Sequence, residues 1–166
     1  MTGKTHKTIA LKAMGHFAME KKEKSQFLRG NVMADFIPFY NYKQHYPGKS
    51  MKYVLNMNKK VDNYFKLGIL THFVSDFLCT PHFNNWRLYS HHAIKHIKFE
   101  KSLEEAVSQF DFTSVHLKKP GSRSINEKVI ELYETVGKDY EENIISAYQA
   151  VCFMLDSYLV RQKKLS

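Results

Sequence analysis

Apolar residues recur every three to four positions along most of the chain, and this spacing constrains the fold more than any other feature. It places apolar side chains on one face of an α-helix, whereas the strict alternation that is typical of strands is nearly absent. Helical stripes extend over Ile9 to Phe17, Val61 to Asp76, Ile94 to Leu103, Val129 to Val136 and Ile144 to Val160. The sequence therefore predicts an all-α array of five or six helices.

Signals for helix boundaries agree with this prediction. Ser124 is followed three residues later by Glu127, as in a capping box, and Ser25 is a second predicted N-cap. Four prolines lie between the periodic segments: Pro38, Pro47, Pro81 and Pro120. No repeat, low-complexity stretch or linker divides the chain, so we expect one domain over residues 1–166.

The length of 166 residues and the apolar share of 43% are enough for a packed core and are unlike those of a disordered chain. The first residues lack a secretory signal, and no apolar run approaches the ~20 residues of a membrane-spanning helix. We therefore expect a cytoplasmic protein without an integral membrane segment; a mature secreted chain behind a new Met would have the same features. Cys79 and Cys152 lie in apolar patterns, so we expect both to be reduced and buried.

The balance of charges limits the class of partner but does not identify it. The formal net charge is +9, and the basic residues are spread along the chain with only short clusters. Such a charge favours anionic partners, including phosphate esters, nucleic acid and acidic membrane surfaces.

Two pairs of polar residues interrupt the apolar helices. His72 and Asp76 are four residues apart and so project from one helix face, and His96 and Glu100 repeat this spacing. A carboxylate or an imidazole is costly to bury unless it is paired or bound to a metal. Each pair alone is more typical of an ion pair, but the side chains are also ligands that zinc prefers.

Further histidines and acids lie close to these pairs in the sequence. His82 follows Pro81 just past the helix that carries Asp76, and His6 lies at the start of the first stripe. Asp35 and His45 flank a segment rich in turns. Together with the two pairs, they make five histidines and three acids, which is more than one tetrahedral zinc ion can use.

Taken in order, these residues resemble the trinuclear zinc site of bacterial zinc-dependent phospholipase C, and similar spacing occurs in the single-strand-specific zinc nucleases of fungi and plants. The match is closest from His72 to Glu100, where the successive gaps are four, six, fourteen and four residues. The resemblance implies the single multi-helix domain of that family.

The resemblance also implies a ligand set for two to three Zn²⁺ ions. One ion would be held by Asp35, His45, His72 and Asp76, and a second by His82, His96 and Glu100. A third would be bound by His6, by Asp76 as a bridge, and by the terminal amine and carbonyl of Met1, or of Thr2 if Met1 is removed. Asp35 would act in catalysis by orienting or deprotonating a water.

These ligands predict a zinc-dependent phosphodiester hydrolase, most closely a phospholipase C, that uses metal-activated water on a phospholipid headgroup or another phosphodiester. One alternative is a single-strand-specific nuclease with single-stranded nucleic acid as its partner. Another is a non-catalytic helical module whose zinc ions only complete the fold. Four neighbouring aromatic residues could form a headgroup pocket, a platform on which bases stack, or part of the ordinary core. They are Phe36, Phe39, Tyr40 and Tyr42.

Some residues depart from the family pattern or have no assigned role. Phe36 occupies a position where the phospholipases have a tyrosine that contributes to their choline pocket. His91 and His92 are expected at the surface or at a helix start, and Trp86 could line the cleft or anchor its loop. Because no apolar anchor is evident, we expect dispersed phosphodiesters to be better substrates than packed bilayers.

Overall fold

The computed structural model describes residues 1–36, 45–86, 91–117 and 124–164. They form eight α-helices and no strand, which confirms the all-α prediction but exceeds the five or six helices expected. The helices are α1 (Gly3–Met14), α2 (Lys21–Met33), α3 (Pro47–Met57), α4 (Tyr64–Phe77), α5 (Thr80–Phe83), α6 (Ala93–Gln109), α7 (Ile125–Glu134) and α8 (Tyr140–Lys163).

One of the two predicted N-caps is correct. Ser124 begins α7, where its side chain accepts from the Glu127 backbone N–H at 3.2 Å and completes a capping box. Ser25 was wrong as a cap, because it lies inside α2. Glu20 is the N-cap of that helix instead. Its side chain accepts from the Glu23 backbone N–H, and the Glu23 side chain accepts from the Glu20 backbone N–H, so two N–H groups at the helix start are satisfied.

Helix α4 lies at the centre of the fold, packed against α2, α3, α5 and α8. Every residue from Leu67 to Phe77 is buried. Two glycines allow its backbone to approach α2: a Cβ at Gly68 would lie 2.1 Å from the Phe27 carbonyl oxygen, and one at Gly30 would lie 2.0 Å from that of Phe65. This close packing fixes the position of α4 relative to the end of α2.

Helix α6 corrects the prediction for the third apolar stripe. Leu103 is buried as expected, but Ile94 is 70% exposed and Ile97 is 47% exposed. The buried face of α6 is formed by His96, Leu103 and Val107 instead. Only a narrow side of α6 packs against the core, and the two isoleucines lie outside that side.

Helix α8 is the longest element, with 24 residues, and it extends beyond the predicted stripe at both ends. Asp139 caps its start by accepting from the Glu142 N–H at 2.8 Å, and the Arg161 guanidinium donates to the Val61 carbonyl at 2.7 Å near its end. Within the ranges described above, no helix has both the length and the apolar character needed to cross a bilayer.

Two of the predicted linker prolines belong to helices. Pro47 and Pro81 lie in the first turns of α3 and α5, where a missing N–H costs no helical hydrogen bond. Pro38 and Pro120 are outside the described residues. Proline therefore marks the starts of these helices rather than the gaps between them.

Both cysteines have the state that the sequence predicts. Cys79 and Cys152 are free and buried. Burial raises the pKa of the Cys152 thiol to about 12, and it also raises that of Cys79. Neither thiol is ionised near neutral pH.

Candidate metal centre

The predicted site residues converge on one buried region formed by α1, α4, α5, α6 and the turns at residues 34–36 and 45–46. Six of them are buried in the protein interior: His6, His45, His72, Asp76, His82 and His96. The Glu100 side chain is 17% exposed and that of Asp35 is 38% exposed. The region is therefore closed on most sides and open at Asp35.

Asp76 lies at the middle of this region, and its two oxygens face different groups. Oδ1 is 2.6 Å from the Met1 amine and 3.1 Å from His6 Nε2. Oδ2 is 2.6 Å from His45 Nδ1 and 3.4 Å from His72 Nε2. This carboxylate thus joins two sets of nitrogen atoms.

Asp35 closes the first set from the solvent side. Its Oδ1 is 3.3 Å from His72 Nε2 and 3.7 Å from His45 Nε2. Burial would raise the pKa of Asp35, but the adjacent His72 imidazole outweighs burial and lowers it, so the carboxyl is ionised at neutral pH.

Glu100 forms the other part of the region. Its Oε1 is 2.8 Å from the Met1 amine, 3.0 Å from His96 Nε2 and 3.2 Å from His82 Nε2. The Met1 amine, which is also 3.1 Å from His82 Nε2, lies between the Glu100 and Asp76 carboxylates. Met1 therefore connects the two parts of the region.

Three groups of side chains have ligand atoms that all lie within 4.8 Å of one another. Among the described residues these groups are His6, His72 and Asp76; Asp35, His45 and His72; and His82, His96 and Glu100. The third group is the set expected for one ion, and the second contains three of the four residues expected for another. All eight predicted side chains thus contribute.

Backbone carbonyls hold three of the imidazoles in a fixed orientation. Nδ1 of His72 is 2.8 Å from the Asn31 oxygen, Nδ1 of His82 is 2.9 Å from the His45 oxygen, and Nδ1 of His96 contacts the Trp86 oxygen. Because a carbonyl only accepts, each Nδ1 must carry a proton. If the ring is neutral, its Nε2 atom then carries a lone pair and no proton. Two acceptors, this nitrogen and a carboxylate oxygen, therefore face each other without a proton between them. A cation resolves this conflict, and imidazoles held in this way are typical of metal ligands.

The charged groups of the region stabilise one another. Burial would raise the pKa of Asp76, but the charges of His82 and the Met1 amine hold it well below its ordinary value. Burial would lower the pKa of the Met1 amine, but Asp76 and Glu100 raise it well above its usual range. Burial also opposes ionisation of Glu100, yet the nearby amine lowers its pKa. Both carboxylates are therefore available as anionic ligands.

His6 differs from the other imidazoles. Burial, followed by the charge of His72, lowers its pKa to about 4, so its ring is neutral near neutral pH. The two rings stack with centroids 3.9 Å apart. Its Nδ1 is buried and has no hydrogen-bond partner among the residues that the structure describes. A buried neutral imidazole with an unused nitrogen suits the donor set of a zinc site.

Sequence reasoning missed Asn31, whose carbonyl orients His72 and whose side-chain amide donates to Thr71 Oγ1 at 3.1 Å. Nothing in the sequence identifies it, because a backbone acceptor leaves no trace in residue type. The backbone N–H of Trp86 donates to the Pro81 carbonyl at 2.8 Å; the rest of the loop that Trp86 was expected to anchor, residues 87–90, lies outside the described residues, so that role stays a prediction.

The remaining candidates lie away from the three groups. His91 is exposed, and His92 is the N-cap of α6. Phe36 is 74% exposed, so it is not core. The other three aromatic residues of the predicted pocket or platform, Phe39, Tyr40 and Tyr42, are outside the described residues.

Comparison with known proteins agrees with this geometry. No curated protein and no solved structure matches the chain. The sequence model of the family described as zinc dependent phospholipase C matches residues 5–159, which include every predicted side-chain ligand. The match extends over most of the chain and over all eight helices except the ends of α1 and α8. The chain therefore belongs to the zinc-dependent phospholipase C family.

Proposed function

We propose that this protein is a zinc-dependent phosphodiesterase of the phospholipase C type. The observation that carries the proposal is the set of three imidazoles, His72, His82 and His96, whose Nδ1 atoms are held by carbonyls and whose Nε2 atoms face carboxylates. Membership of the family supports hydrolysis, and the buried donor set supports zinc as the cofactor.

We assign the ligands in three sets, with Asp76 shared between the first and third. The first set is Asp35, His45, His72 and Asp76; the second is His82, His96 and Glu100; the third is Met1, His6 and Asp76. The distances of 2.6 Å from Asp76 to both the Met1 amine and His45 Nδ1 support this sharing.

Zinc held by these residues would lower the pKa of a water molecule and would neutralise charge on the phosphodiester oxygens. Asp35 is the ionised carboxylate nearest to solvent, so we assign it the role of orienting the attacking water and accepting its proton. His72 and His45 hold Asp35 beside the site, since its Oδ1 lies 3.3 Å from His72 Nε2 and 3.7 Å from His45 Nε2.

The exposure of Asp35 favours a catalytic site over a zinc module that only completes the fold. Structural zinc sites are closed by protein ligands, whereas catalytic sites keep a position for water. The Asp35 side chain is 38% exposed, although its partner His72 is fully buried. Substrate can therefore reach one side of the ligand set without unfolding the core.

For the substrate, we propose the phosphodiester of a phospholipid headgroup, in keeping with the family. Ionised lipid phosphates are attracted to a chain with a net charge of +9. The comparisons give no support to single-stranded nucleic acid, and Phe36 is the only described residue of the predicted base platform.

The test is hydrolysis of a short-chain phosphatidylcholine that is fully dispersed in solution. We expect zinc-loaded protein to release phosphocholine, chelation to abolish the release and added zinc to restore it. Asp35→Asn should lower kcat by about 10²-fold or more. Asp62→Asn, the same substitution at a side chain that is 65% exposed, should leave kcat unchanged.

Other outcomes distinguish the alternatives. Turnover of single-stranded DNA without turnover of any soluble ester would favour the nuclease. Zinc-replete protein that hydrolyses neither substrate would favour the non-catalytic module. Full activity in Asp35→Asn would remove the catalytic role assigned to that residue.

A further inference from the structure

The first half of α6 exposes apolar side chains to solvent. Ile94 is 70% exposed and Ile97 is 47% exposed, although the sequence pattern assigns both to a core stripe. The two are three residues apart and therefore adjacent on the helix surface. Isoleucines this exposed are costly in water, and two adjacent ones on a helix face form an apolar patch of the kind that contacts another molecule or an apolar phase.

Lysines surround these isoleucines on the same face. Lys95, Lys98 and Lys101 are all exposed. Lys98 follows Ile94 by four residues and Lys101 follows Ile97 by four, so these two lysines each lie one turn from an isoleucine, and Lys95 is the residue after Ile94. The face therefore combines apolar side chains with a local excess of positive charge. We refer to these five residues as the α6 face.

Acidic residues do not cancel this charge in the first half of the helix. Glu100 points inward to the candidate metal centre. Glu104 and Glu105 belong to the second half, where Glu104 pairs with Lys4 at 3.0 Å and accepts from Thr2 Oγ1 at 2.6 Å. Glu105 follows Lys101 by four residues and so borders the α6 face at that end, whereas no acidic residue lies three or four positions from Lys95 or Lys98. The positive charge that the helix leaves unbalanced is therefore that of Lys95 and Lys98.

A groove of about 510 Å³ is lined by Ile94, Lys95 and Lys98 of the α6 face and by the aromatic side chains of Trp86, Phe99 and Tyr140. The Lys95 ammonium lies 4.0 Å from the centroid of the Trp86 ring. Tryptophan and tyrosine next to basic residues are typical of protein surfaces at the boundary between lipid headgroups and acyl chains. This groove extends the amphipathic surface beyond the helix itself.

We propose that the α6 face docks on the surface of an anionic phospholipid bilayer. The isoleucines enter the boundary between headgroups and acyl chains, and the lysines contact the anionic headgroups, so that apolar burial and electrostatic attraction act together. The lysines of the α6 face complement the charge of an anionic bilayer, so they favour this occupant over a neutral apolar partner. No such anchor is evident from the residue pattern alone, because helical periodicity does not distinguish an exposed isoleucine from a buried one.

Docking in this way would bring lipid close to the catalytic region, and this link rests on the proposed function. His96 and Glu100 lie on α6 too, and Ile97 is the neighbour of His96, about 100° around the helix. A bilayer held against the α6 face therefore lies beside the helix that contributes two of the proposed zinc ligands. The docking itself does not depend on hydrolysis.

The test compares two double variants of equal composition. Ile94→Ser with Lys98→Glu alters the α6 face, whereas Ile130→Ser with Lys22→Glu alters an isoleucine that is 41% exposed and an exposed lysine on other helices. Flotation with vesicles measures binding to phosphatidylcholine alone and to phosphatidylcholine mixed with phosphatidylserine. We expect wild type to bind the mixed vesicles better, the α6 variant to bind them at least about tenfold more weakly, and the control to bind like wild type.

A parallel assay with the dispersed ester separates docking from catalysis. The α6 variant should retain wild-type turnover of this substrate and lose turnover only on mixed vesicles. If wild type binds the vesicles but hydrolyses no ester, the proposed function fails and the docking stands. Equal binding to both kinds of vesicle, or equal losses in the two double variants, would overturn the docking proposal. So would a wild-type dimer that the α6 variant converts to a monomer without altered vesicle binding, because the face would then join two copies.

Discussion

Helices α4 and α6 each carry a histidine and an acid four residues apart, yet the two helices have opposite surroundings. Residues Leu67 to Phe77 of α4 are all buried, whereas α6 buries only His96, Leu103 and Val107. Asp76 is accordingly 1% exposed and Glu100 is 17% exposed. One sequence motif therefore produces a central ligand pair in one helix and a peripheral pair in the other.

This difference shows that spacing determines which side chains can meet, while packing determines how many partners they share. Asp76 contacts the Met1 amine and His6 through one oxygen and His45 through the other. Glu100 has all three of its nitrogen contacts at a single oxygen, Oε1. Loss of the α4 carboxylate should accordingly have the larger effect.

The largest effect is expected for Asp76→Asn. In chelator-treated protein this change leaves a buried amine and buried imidazoles without their counter-charge, so the free energy of unfolding should fall by about 3 to 5 kcal/mol. Denaturant unfolding measures this loss. Asp62→Asn is the matched control, because its pair with Lys66 is exposed to solvent and should change the stability little. Equal effects at the two positions would contradict the central role of Asp76.

The next effect concerns pH and His6. Between about pH 6.5 and pH 4 the unfolded chain protonates this ring, but the folded protein does not, because burial lowers its pKa to about 4. The unfolded state then binds more protons, so the stability of chelator-treated protein should decrease as the pH falls, with about 3 kcal/mol due to His6. Unfolding curves across this range should be less pH-dependent for His6→Gln than for wild type. An unchanged slope in His6→Gln would show that this ring is not held neutral.

A smaller effect is expected for Gly68→Ala in α4. The new Cβ would lie 2.1 Å from the Phe27 carbonyl oxygen, so α2 must move away at a cost of about 1 to 3 kcal/mol. The same movement would carry the Asn31 carbonyl away from His72 and weaken zinc binding. Thermal unfolding and zinc titration measure the two effects. Gly3→Ala is the control, because nothing lies within 4 Å of its Cβ, and wild-type behaviour of Gly68→Ala would contradict the close approach of α2 and α4.

The smallest effect is expected on α6, from Ile97→Ala. This side chain is 47% exposed and contributes little to the core, so the free energy of unfolding should change by no more than about 0.5 kcal/mol. Leu103→Ala on the same helix removes a fully buried side chain and should cost about 2 to 5 kcal/mol. Similar losses in the two variants would mean that α6 buries its isoleucines after all.

The sequence could predict features that depend on helix geometry alone. A separation of four residues was enough to place His72 Nε2 3.4 Å from an Asp76 oxygen, and His96 Nε2 3.0 Å from one of Glu100. The same geometry, with the capping box at Ser124, was enough to predict an all-α fold.

Features that depend on contacts between helices could not be predicted. The periodic pattern of α6 does not tell which side meets the core, so Ile94 and Ile97 were assigned to the wrong face. The carbonyls of Asn31 and Trp86 orient imidazoles through backbone atoms that every residue has. The cap prediction at Ser25 is wrong because the local sequence does not show that Glu20 and Glu23 begin α2 earlier.

The most direct test is the zinc content of protein purified without chelator, measured by elemental analysis in wild type, Glu100→Gln and Asp76→Asn. If Asp76 is shared and Glu100 is not, wild type should hold about two to three zinc ions per chain. Glu100→Gln should then lose about one ion, and Asp76→Asn should lose more than Glu100→Gln. Wild-type zinc content in Asp76→Asn, or protein that binds no zinc at all, would contradict the account.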